Sequence, residues 1–211
     1  MTVDTLFRQS GGGVLAADVN TYTMGVQFSV LVPSCKLTGM GWYSAAGAES
    51  LPEIIALFAV SGGTLLHSES VSSWSGAAGS GWMRAAFSSP PSLLISTNYV
   101  AAVYNSGGFN WYSGTHDYWD TGDGSAGITR RLLAAPSNAG SAHGQDAFDS
   151  SGPLAFPTST FQATNYWMDP EITQIIEGTP GGYDTDTLGA RMFVAGKEPT
   201  ITAAGDDRAH G

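Results

Sequence analysis

Residues 22–32 read YTMGVQFSVLV. Tyr22, Met24, Val26, Phe28, Val30 and Val32 fall on one side of an extended chain, Thr23, Gly25, Gln27 and Ser29 on the other, and Leu31 alone is out of step. Alternation at period two predicts a half-buried β-strand with one apolar and one wet face. No stretch of the chain carries an equally clean helical period, so the scaffold is read as β.

The flanking segments repeat the theme. Upstream, Thr2 to Arg8 places Val3, Leu6 and Phe7 among polar neighbours and is broken by Ser10 to Gly13, which predicts an edge strand or an arm. Downstream, Pro33 closes the first strand and KLTGMGWY (residues 36–43) makes a second. Gly39 and Gly41 within it predict a bulge or a close backbone approach. IIALFAV (residues 54–60) is apolar on both faces, as a strand buried between two layers is. Ser61-Gly62-Gly63-Thr64 then signals a hairpin, returning through Leu65 to Val71. Trp82 to Phe87 and Tyr99 to Tyr104 supply further strands, and FQATNYWMD (residues 161–169) is expected to close the domain as the last one.

Composition supports this class. The chain has 211 residues, of which 42% are hydrophobic and only 12% charged, with 28 glycines for turns. That charged fraction is roughly half the usual ~25%. Such a surface suits a turn-rich sandwich better than salt-bridged helices. The formal net charge of −10 disfavours nucleic-acid backbones and anionic membranes. No apolar run reaches the ~20 residues that span a bilayer, and the N-terminus lacks the basic-then-apolar order of a secretory signal. Cys35 stands alone, which excludes an internal disulfide and a cysteine-based zinc site.

Several short pieces, taken in order, resemble a known module: Gly25-Val26-Gln27-Phe28, Leu37-Thr38-Gly39-Met40-Gly41-Trp42-Tyr43, Gly63-Thr64-Leu65-Leu66, Gly81-Trp82, Phe87-Ser88-Ser89-Pro90, Thr97-Asn98-Tyr99-Val100 and Thr164-Asn165-Tyr166-Trp167-Met168-Asp169. They resemble an uncharacterised β-sandwich family, over roughly Tyr22 to Asp169. That family is found beside carbohydrate-active domains of secreted bacterial proteins and in virion proteins of phages of actinobacteria. The resemblance implies an all-β antiparallel sandwich, jelly-roll-like, and surface or glycan adhesion. It carries no established catalytic residues to transfer.

The expected organisation is an N-terminal arm or edge strand at 1–21, the sandwich at 22–172 with a long aromatic-rich insertion at 105–157, and a C-terminal docking arm at 173–211. The insertion is longer than ordinary loops, which points to an interaction surface. Phe109, Trp111, Tyr112, His116, Tyr118, Trp119 and Asp120 are its candidate contact residues, for a glycan or a partner. Aromatic faces stack on sugars and also dominate protein interfaces, and the same rings can fill the sandwich core or the base of the insertion; core or subunit contact is preferred to glycan contact. Asp117, Asp120 and Asp123 lack the spacing and the closing Glu of an EF-hand loop, so a solvated acidic turn is preferred to a calcium site. His67, His116, His143 and His210 are scattered and form no zinc pair. No nucleophile elbow supports a Ser/His/Asp triad. The resulting expectation is a non-enzymatic virion protein, a minor tail or capsid decoration protein, without cofactor or metal. It would be homo-oligomeric, assembled in a host cytoplasm with other virion proteins, and would contact neither nucleic acid nor membrane. The rival is a carbohydrate-binding module for cell-surface or environmental glycans.

Overall fold

The computed structural model describes residues 2–7, 11–18, 20–44, 51–106 and 110–176, with the backbone alone at 14–18 and 110–113. The expected C-terminal docking arm at 173–211 therefore lies, beyond Ile176, outside the described residues.

Fourteen strands are described: β1 (Thr2–Asp4), β2 (Val14–Asp18), β3 (Tyr22–Val30), β4 (Cys35–Ser44), β5 (Ile54–Ala59), β6 (Thr64–Ser70), β7 (Gly81–Ala86), β8 (Ser92–Leu93), β9 (Asn98–Asn105), β10 (Asn110–Gly114), β11 (Ile128–Thr129), β12 (Leu133–Ala135), β13 (Ala147–Asp149) and β14 (Met168–Gln174). One sheet runs β1-β14-β4-β7, with β8 also on β4. The other runs β11-β12-β3-β9-β5-β6, with β13 also on β3, and β2 and β10 form a separate ribbon. The sheets are antiparallel and pack face to face as a β-sandwich.

The alternating stretch is the frame of the second sheet. Met24, Val26, Phe28 and Val30 point into the sandwich against Leu37, Met40, Trp42, Met168 and Ile172 and are buried. Each such side chain contributes roughly 1.5–3 kcal/mol. β3 ends at Val30, so Leu31 lies beyond the strand and is exposed. The expected wet face is overturned: Thr23 and Gln27 are buried. A third layer covers that face. Ala142 N–H donates to the Gln27 side chain (3.2 Å), and Leu154 and Phe156 pack on Ala56, Phe58, Val100 and Ala102.

Two other expectations change. The 105–157 stretch is no outward insertion alone. It supplies β11, β12 and β13, and both β12 and β13 pair with β3. The last strand begins where the FQATNYWMD reading ends, because the segment before it turns at Ala163 (φ 43) and Trp167 (φ 55). Pro170 is tolerated inside β14 because β1 pairs only with residues 172–174, leaving the proline opposite β4 alone. Of the two alternatives expected for the N-terminal segment, an edge strand or an arm, residues 2–4 form the edge strand: β1 pairs with β14 at the end of its sheet, and Leu6 and Phe7 are fully buried. In β4 the register shifts between Glu171 and Ile172 of its partner, and a Cβ on Gly41 would lie 3.1 Å from the Trp82 ring.

Candidate functional site

The candidate contact residues separate into an inner and an outer set. Thr115 bridges Asn165, Asp117 N–H donates to Gln162 O (2.8 Å) and Trp119 N–H donates to Ala163 O (3.2 Å). These bonds lock two irregular segments together, 115–120 and 160–165. The turn then separates its side chains: His116, Asp117 and Asp120 are exposed, and Tyr118 and Trp119 are buried. Tyr118 and Trp119 therefore belong to the core and present no face to a ligand. Trp111 and Tyr112 lie in β10 opposite Ala17 and Ala16, and their side chains, like all of Phe109, lie outside the described residues.

The inner set surrounds Phe7. Its ring stacks on Trp82 (6.2 Å between centroids, 13° between planes) and meets Trp167 edge-on at 5.2 Å and Tyr118 and Trp119 edge-on at 6.2 Å. Such pairs add ~0.5–1.5 kcal/mol each beyond their buried area. The polar edge of this cluster is tied down by two buried carboxylates. Asp146 accepts from Trp119 Nε1 and Tyr166 N–H, both 3.1 Å, through the same oxygen, and its Oδ1 has no partner. Asp169 accepts from Leu6 N–H (2.7 Å) and Phe7 N–H (3.3 Å). Arg130 Nε donates to Leu6 O (2.6 Å), and Asp4 accepts from Leu132 N–H (3.1 Å). Burial pushes the Asp146 carboxyl up to about 8, against the pull of its two donors, with nearby Asp169 adding to the rise. Burial likewise pushes Asp169 up to about 7, against the Leu6 and Phe7 amides. Burial, reinforced by Asp123 and Asp146, raises the Tyr118 phenol to about 12. These groups hold backbone segments together.

The outer set has a different character. His116 Nδ1 lies 2.8 Å from Thr164 Oγ1, and its ring meets Phe161, which is 50% exposed, at 5.7 Å. Asp120 accepts from Asn138 Nδ2 (2.9 Å). The Asp117 carbonyl accepts from Thr121 and Gly122 N–H (2.9 Å each), which makes 117–122 a compact turn. Among the described residues no three His, Cys, Asp or Glu side chains converge as a metal site, and no helix is long and apolar enough to cross a membrane.

A second surface feature was not read as a site from the sequence. Leu31 (40% exposed), Leu94 (70%) and Ile95 (49%) stand together where Val30 bridges Ile95 and Ser96 N–H donates to Val30 O. We refer to it as the apolar pole. Two signals pointed to it: Leu31 breaks the alternation, and Leu94-Ile95 is an aliphatic pair in a turn segment. Phe161, Asp146 and Asp169 carried no such signal, since only the packing sets their exposure.

The profile of a family described as a domain of unknown function, DUF4082, matches residues 9–168. The chain belongs to the DUF4082 family. No curated protein matches it. The matched span includes the 105–157 stretch, in keeping with that stretch supplying strands to the second sheet.

Proposed function

We propose that this DUF4082 chain is a non-enzymatic structural protein of a bacteriophage particle, a minor tail or capsid decoration protein that acts by packing against its neighbours. The observation that carries the reading is the apolar pole. Single exposed aliphatics are ordinary on a monomer, whereas Leu31, Leu94 and Ile95 are exposed on two segments that the Val30–Ile95 bridge brings side by side. The ordered motifs shared with the sandwich module support the same reading. So does the use of Asp4, Asp146 and Asp169 to fasten backbone. The test is protein sequencing of purified particles by mass spectrometry. The chain is expected in fixed stoichiometry with the major virion proteins, and its absence from clean particles overturns the proposal.

A second reading, glycan attachment, draws on His116 and Phe161. A half-exposed ring beside a histidine offers stacking and hydrogen bonding to one sugar unit. A glycan array probed with the purified chain tests it. Retention that survives in both Phe161→Ala and His116→Ala counts against this site.

A further inference from the structure

Resting on the assembly reading above, we propose that the apolar pole is the docking face for a second copy of this chain, bound head to tail, with the acidic turn at residues 117–123 of one copy seated on the pole of the next.

Of the four cationic side chains among the described residues, Arg84 pairs with Glu171 (2.7 Å) and Arg130 donates to Leu6 O (2.6 Å). The other two, Lys36 and Arg131, make no ion pair among the described residues, and both border the pole. Lys36 is paired across the sheet with Ser92, two positions before Leu94. Arg131 is exposed and precedes Leu132, whose carbonyl accepts from Leu31 N–H (2.9 Å). On a chain of net charge −10, the apolar face is thus rimmed by positive charge. That is the arrangement of a contact with an apolar centre, a charged rim and an acidic counterpart.

The chain carries a counterpart of the opposite sign. Residues 117–123, DYWDTGD, place three exposed carboxylates in seven residues without a cation. Phe161, half exposed, lies beside the turn through the Asp117–Gln162 bond. Within one copy the turn is bonded to residues 162 and 163, and the three aliphatics of the pole stay exposed with it in place. A symmetric pole-to-pole contact would bring two Lys36 and two Arg131 side chains together. A heterologous contact brings them to Asp117, Asp120 and Asp123 instead and leaves each copy one open pole and one open turn, which generates rings or filaments.

The experiment uses the full chain in sedimentation velocity over a concentration series, with thermal unfolding to verify that each surface variant is folded. Wild type is expected to grow beyond the monomer with concentration. Arg131→Glu, and separately Asp120→Lys combined with Asp123→Lys, should each weaken self-association by about tenfold or more. The decisive step is mixing. The first variant keeps only a working turn and the second only a working pole, so together they should stop at a 1:1 dimer. Leu94→Ser with Ile95→Ser should behave like Arg131→Glu. A wild type that stays monomeric at every concentration, or a mixture that forms no dimer, overturns the inference. Assembly that survives the pole variants also overturns it, placing the contact elsewhere, for example on the β6 edge, while leaving the packing reading intact. The virion assignment itself is decided separately by the composition of the particles.

Discussion

The side-chain amide of Gln145 pairs with the backbone of Gln27 as a neighbouring strand residue would. Gln27 N–H donates to Gln145 Oε1 (2.7 Å) and Gln145 Nε2 donates to Gln27 O (2.9 Å). β12 and β13 lie on the same edge of β3, at Val30 and Ser29 and at residues 23–25, and Gln145 fills the gap between them. One side chain thereby completes a ladder that two short strands leave open, and it also donates to Pro136 O (3.1 Å).

Gln145→Ala removes these partners inside a buried site. A dry, unpaired backbone group costs about 1–3 kcal/mol, so a loss of about 2–3 kcal/mol is expected. Urea unfolding should show a lower midpoint with an unchanged slope. A midpoint equal to wild type would mean that water replaces the amide at no cost.

The buried carboxylates set a pH dependence. Asp146 and Asp169 have folded-state values raised to about 8 and about 7, above the ordinary carboxylate value in the unfolded chain. Between the unfolded and folded values the folded state binds more protons, so stability falls as pH rises through that window. The melting temperature should therefore be highest on the acid side, near the unfolded carboxylate value, decline toward pH ~8 and then level. Asp146→Asn keeps an oxygen for Trp119 Nε1 and Tyr166 N–H and should flatten the decline, gaining over wild type at the alkaline end. Calorimetry across the range decides it; a parallel decline in the variant would exclude Asp146 as a source.

The N-terminal segment is a structural part of the sandwich. Phe7→Ala empties the centre of the aromatic cluster and should cost about 3–5 kcal/mol. Loss of the stacked contact with Trp82 should also change tryptophan emission. A variant as stable as wild type would mean that Leu6 and Phe7 act as a detachable arm.

Gly41→Ala tests the same face from below. The added Cβ would sit 3.1 Å from the Trp82 ring and 3.2 Å from Asp169 Cβ, closer than packed carbons normally come. Trp82 must tilt, at a cost of about 1–3 kcal/mol. Near-ultraviolet circular dichroism should lose tryptophan signal while the far-ultraviolet β spectrum persists; an unaltered near-ultraviolet spectrum would show that the ring has room.

The sequence by itself determined the β class, the inward face of β3, the β5–β6 hairpin and the close approach at Gly41. Each is local: side-chain period fixes which way a residue points, and turn residues fix where the chain reverses. Tertiary structure alone decided what covers the outward face. Thr23 and Gln27 read as wet because polar side chains on an alternating strand ordinarily meet water, yet both are buried: residues 142–156 return over this face, Ala142 N–H donates to the Gln27 side chain and Gln145 bonds the Gln27 backbone. Tyr118 and Trp119 read as candidate contact residues by composition, and only the bonds of their turn to Gln162 and Ala163 point both rings inward. The apolar pole likewise depends on two loops, 31–34 and 94–97, meeting across more than fifty residues of chain. A period of two records the direction of a side chain but not the layer it meets, because that layer is made by distant segments whose long-range pairing leaves no local pattern.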